Sequence, residues 1–80
     1  MKVYFIVVSN SEGDLGSSNV YTSKEKALAI LKQMYVNTIE MWGGEEEMAY
    51  TNLDLELNYY CIDNGDIIEN GYLMEKELED

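Results

Sequence analysis

Between Thr22 and Gly43 the apolar residues return every three to four positions, and this one stretch decides most of what the chain can become. Placed at 100° steps, Ala27, Leu28, Ile30, Leu31, Met34, Tyr35, Thr38, Ile39, Met41 and Trp42 fall on one half of a cylinder. Lys26, Lys32, Gln33, Asn37 and Glu40 fall on the other half, joined by Ala29 and Val36. Thr22 followed by Glu25 reads as a capping box, and Gly43-Gly44 as the stop, so the spacing predicts a helix over 23–42. Such a helix is about 30 Å long and needs a broad apolar surface to lie on.

The flanking segments supply a sheet. Val3-Tyr4-Phe5-Ile6-Val7-Val8 is β-branched and aromatic without a break, as in a strand covered on both faces. Residues 9–18 are turn chemistry, and Asn19-Val20-Tyr21 reads as a short returning strand. After Glu45-Glu46-Glu47 the period becomes two. Leu53, Leu55, Leu57, Tyr59 and Cys61 share one face, with Asp54, Glu56, Asn58 and Tyr60 on the other, in one long strand or two short ones. Asn64-Gly65 suits a type I′ turn before Ile67-Ile68, and Asn70-Gly71 permits a second turn before Tyr72-Leu73-Met74. The expected fold is α+β: one domain over 1–80, two layers, one long helix on a mainly antiparallel sheet in the order β-β-α-β-β(-β). A single helix covers one face only, yet residues 3–8 are apolar on both. Either two copies associate through the far face or the C-terminal segment folds beneath it.

Charge limits function. Sixteen Asp and Glu stand against five Lys, with no Arg or His, for a net charge of −11. Such a chain repels nucleic-acid phosphates and anionic lipid, so neither nucleic acid nor a membrane is expected as a direct partner. The imbalance is local in sequence: residues 1–42 carry four acids and four Lys, and residues 43–80 carry twelve acids and only Lys76. The partner this implies is a protein with a basic surface. Glu45, Glu46, Glu47, Asp54, Glu56, Asp63, Asp66 and Glu69 are the candidate contacts, continued by Glu75, Glu77, Glu79 and Asp80. Asp54 and Glu56, alternate residues of a strand, would stand about 6.7 Å apart on one side. Tyr60 and Tyr72 are the candidate aromatic anchors, with Trp42, Tyr50 and Tyr59 beside them.

Catalysis is not expected. Without His, neither Cys61 nor any Ser has an imidazole to activate it, and no catalytic residue is assigned. The glycines fit neither a phosphate loop nor a dinucleotide fingerprint, so no cofactor is expected. A lone cysteine fits a reducing, cytoplasmic setting and gives no zinc set. Oxygen ligands for a divalent cation exist around the Asn64-Gly65 turn, in Asp63, Asp66 and Glu69, but no calcium-loop pattern aligns and no metal site is assigned.

Lys2-Val3-Tyr4-Phe5-Ile6-Val7-Val8 and then Val20-Tyr21-Thr22-Ser23-Lys24-Glu25-Lys26-Ala27 resemble small phage and prophage proteins that open with a strand pair and a similar helix start, over about the first 35 residues. In size, acidity and lack of catalytic groups the chain resembles the anti-CRISPR and anti-restriction inhibitors. The resemblance implies a non-enzymatic inhibitor that covers the nucleic-acid-binding surface of a host defence enzyme, and carries over no site residues. Two other readings stand beside it: a small homodimeric accessory protein whose acids serve solubility, and a small-ligand or divalent-cation module built on Asp63, Asp66 and Glu69.

Overall fold

A computed structural model describes residues 1–79. One helix, α1 (Lys24–Met41), lies on a five-stranded antiparallel sheet of β1 (Lys2–Asn10), β2 (Leu15–Ser17), β3 (Tyr50–Asp54), β4 (Tyr59–Asp63) and β5 (Ile68–Glu77). The strand order is β2-β1-β5-β4-β3. The α+β expectation and the helix limits hold. The last strand is the central one, because β5 pairs with β1 from Lys2↔Glu77 to Asn10↔Glu69 and with β4 on its other side. The C-terminal segment therefore fills the sheet rather than folding beneath it.

Local details differ from the sequence reading for identifiable reasons. The helix is capped by Ser23, whose Oγ accepts from the Lys26 amide at 3.2 Å. This puts Lys26, not Glu25, at the third helical position and leaves no capping box. The strand returning along β1 is Leu15–Ser17, and residues 19–21 contribute one bridge, Tyr4↔Tyr21. Asn70-Gly71 is no turn: it runs mid-strand through β5. Nor is Asn64-Gly65 a type I′ turn, which needs positive φ at both residues, since only Gly65 has it. The alternation from Leu53 to Cys61 is broken by a turn over 55–58, with Asn58 at φ 60. Asp54 thus pairs with Tyr59 and Leu53 with Tyr60, which reverses the phase. Leu53 and Tyr60 face the helix, Tyr59 and Cys61 face away, and Leu55 and Leu57 are exposed in the turn.

The core lies between helix and sheet. Ile6, Leu31, Tyr60 and Ile62 are wholly buried, with Ile39 beside them and Leu28, Met34, Tyr35, Leu53 and Leu73 packed around. Each aliphatic side chain so enclosed contributes about 1.5–3 kcal/mol. Tyr60 lies over Gly71, its partner across the ladder, where any Cβ would overlap the ring. Tyr35 meets the same ring in a T-shaped contact, with centroids 5.7 Å apart and planes 63° apart. The opposite face of the sheet carries Val3, Phe5, Val7, Tyr59, Tyr72 and Met74; Val3, beside residues 17–20 and Leu78 at the lower corner, is buried, and no described segment covers the rest.

Candidate functional site

The strand register sorts the charges in a way the linear sequence hides. The end of the sheet where β1 finishes and β5 begins is its upper end, and the end bearing Lys2 and Glu77 its lower end. Helix α1 starts at the lower end, because Tyr21 bridges Tyr4 just before the Ser23 cap. It climbs until the Thr38 hydroxyl donates to Glu69 at 3.0 Å. The upper end is acidic throughout: Glu12 and Asp14 between β1 and β2, Glu40 in the last helical turn, Glu45–Glu47 in a short 3-10 helix, Asp63 at the end of β4, and Asp66 in the loop before β5. These segments are tied together. The Ser11 amide donates to the Ile68 carbonyl at 2.9 Å, and the Ala49 amide to the Asp63 carbonyl at 2.7 Å.

No lysine stands at this end. Lys2 and Lys76 are at the lower strand ends, Lys24 and Lys26 in the first helical turn, and Lys32 midway along α1. The two ion pairs among the described residues, Met1 amine–Glu77 at 3.2 Å and Lys2–Glu75 at 3.6 Å, are also at the lower end. The helix C-terminus, with no basic residue in its last turn, adds its own partial negative charge to the upper end. The molecule is polarised along its strands: mixed charge below, uncompensated carboxylates above. Glu12 and Asp14 come from the half of the sequence that sums to zero, so the division at residue 43 is not the spatial one.

Of the candidate contacts, Glu45, Glu46, Glu47 and Asp66 are exposed at the upper end, with Asp63 half-buried among them. Asp54 and Glu56 do not form a strand pair. Asp54 ends β3 and its Oδ1 accepts from the Glu56 and Leu57 amides at 3.0 and 2.9 Å, shaping the 55–58 turn. Glu75, Glu77 and Glu79 are at the lower end, and Asp80 lies outside the described residues.

Glu69 and Tyr60 belong to the interior. Glu69 faces the helix, and its Oε2 accepts from Tyr60 Oη at 2.8 Å and from Thr38 Oγ1. Burial, and then the Glu69 carboxylate, push the Tyr60 phenol far above its ordinary range, and the Thr38 hydroxyl opposes this slightly. Tyr60, at 0 % exposure, is not an anchor. Asp63, Asp66 and Glu69 do not converge either: Glu69 faces the helix, Asp63 the other side of the sheet, and Asp66 solvent. No group of three carboxylates or thiols placed to hold a cation occurs among the described residues, which removes the support for a divalent-cation module.

The remaining aromatics divide. Trp42 caps the helix and packs half-buried on the core. Tyr59 and Tyr72 stack on the uncovered face, with centroids 6.1 Å apart and planes 20° apart. Tyr50 is 55 % exposed at the upper end, in register with Asp63. Cys61 shares the uncovered face, where partial burial, with nearby Asp63, raises its thiol pKa; this leaves it a poor nucleophile. No family model matches the chain, and searches of curated proteins and of solved structures find no match.

Proposed function

We propose that the chain is a non-enzymatic, cytoplasmic binding protein whose upper end covers the basic, nucleic-acid-binding surface of another protein, in the manner of the anti-CRISPR and anti-restriction inhibitors. The observation that carries this reading is the segregation of charge along the strands, with eight carboxylates gathered at one end that no lysine approaches. A concentrated anionic end attracts a phosphate-binding groove over a Debye length, about 8 Å at physiological salt, and orients the encounter. Solubility alone needs net charge and places no demand on where it lies.

The test reverses Glu45, Glu46, Glu47 and Asp66 to Lys and compares this variant with one reversed at Glu25 and Glu75. Both are used as bait in bacterial lysate, with elution by salt or by duplex DNA and identification by mass spectrometry. The expected result is a nucleic-acid-binding enzyme captured by the native chain and the Glu25/Glu75 variant, displaced by DNA, and bound at least about tenfold more weakly by the upper-end variant. Capture that survives upper-end reversal and ignores both salt and DNA overturns the reading.

A further inference from the structure

We propose that the uncovered face of the sheet is the interface of a two-fold symmetric homodimer, with Leu15 of each copy seated at the rim of a depression bounded by Val3, Phe5, Val20 and Leu78 of the other. Four observations bear on it, none of which depends on the upper-end reading above.

The first is composition. On strand positions facing away from the helix, only Asp54 and Asp63 of the sixteen acids occur, and each spends an oxygen on a turn amide. Apolar residues hold the centre, and Tyr72 and Met74 are 44 % and 43 % exposed there. A chain that places carboxylates on nearly every loop but keeps them off this face has a surface suited to burial.

The second is shape. Leu15 projects from β2 on this face with 75 % of its surface exposed, and nothing in the fold needs it there. Lower down, Val3, Phe5, Val20 and Leu78, with Ser17, Ser18 and Lys76, border a mainly apolar depression of about 380 Å³. Val7, Tyr72 and Tyr59 form one row across the middle of the face. Leu15, level with Ser9, lies two residues above that row, and Phe5 two residues below it. A two-fold axis along the row inverts top and bottom while keeping each lateral position, and so lays Leu15 of one copy two residues below the other's row, one strand aside from Phe5 on the side of Val20, at the rim of that depression. An isologous contact requires this reciprocity.

Charge follows the same symmetry. Lys76 is the one cation on this face, four residues below the row, and Asp63 is level with Ile68, four residues above it on the neighbouring strand. The axis brings each copy's Lys76 towards the other's Asp63. It also sets each acidic upper end beside the mixed-charge lower end of its partner, so the two acidic ends do not face each other.

The fourth is area. At ~4.8 Å between strands and ~3.3 Å per residue, the five strands present about 500 Å² per copy, or about 1,000 Å² for the pair, which is the lower bound for a specific interface and fits a weak dimer.

Sedimentation equilibrium of the full chain up to about 200 µM, where even a weak specific dimer is populated, reads the association directly. The native chain is expected to be dimeric. Leu15→Asp is expected to raise the dissociation constant at least about 100-fold, because a symmetric dimer loses two buried leucines. Far-UV circular dichroism and the melting profile of the diluted monomer verify that the variant folds, and Leu15→Ser serves the same purpose if it does not. Lys76→Glu is expected to weaken the dimer with an effect that shrinks in high salt, and Met41→Asp, exposed on the helix, to leave it intact. A monomer at every concentration, or a dimer indifferent to Leu15→Asp and Leu15→Ser, overturns the proposal.

Discussion

Tyr60 concentrates three roles in one side chain. Its ring fills the space that Gly71 vacates, it makes a T-shaped contact with Tyr35, and its hydroxyl donates to Glu69, which faces the helix from the central strand. Tyr60→Phe keeps the ring and removes one of the two donors to Glu69, so a loss of about 1.5–3 kcal/mol is expected in urea unfolding at pH 7. The alkaline limb supplies an independent check. A phenol whose pKa rises on folding favours the native state below the unfolded value of about 10, and that contribution is lost as pH rises beyond it. The native melting temperature should therefore fall above about pH 10 more steeply than that of Tyr60→Phe. None of this could be read from the sequence, where Tyr60 sits in an alternating run whose phase points it outward. The run crosses a turn, and only the Asp54↔Tyr59 register reveals the reversal.

At the scale of elements, legibility follows period. The helix was readable because its apolar residues recur over five turns and glycines end it; its cap was displaced by one residue because Thr22 and Ser23 are chemically alike. β5 was the least readable, since Asn70-Gly71 has the composition of a turn. Here the glycine answers to a neighbouring ring rather than to a bend, and its backbone is ordinary strand. Gly71→Ala should consequently cost about 1–3 kcal/mol or more by overpacking, measured by chemical denaturation. In a Tyr60→Leu background the same substitution should cost much less, and the double-mutant cycle isolates the overlap. Equal costs in the two backgrounds would assign the glycine to something other than Tyr60.

For the whole molecule, the acidic end is the feature least available to a linear reading. Its carboxylates come from residues 12–14, 40–47 and 63–66, which only strand order brings together. Gathering them without counter-charge destabilises the compact state through mutual repulsion, and the two exposed ion pairs at the far end offset little of it. Raising sodium chloride from about 0.05 to 0.5 M should hence raise the melting temperature by a few degrees, and Glu46→Lys should achieve part of the same gain at low salt. A melting temperature that fell with salt would mean that attraction, not repulsion, dominates the surface. The central position of β5 has a kinetic consequence as well. Until that strand inserts, the chain can form only two separate hairpins, β1–β2 and β3–β4, and isolated hairpins are barely stable in water. The rate-limiting event of folding is then the capture of one late segment between two waiting edges, closing a loop that runs almost the full length of the chain, which makes this a slow folder for its size.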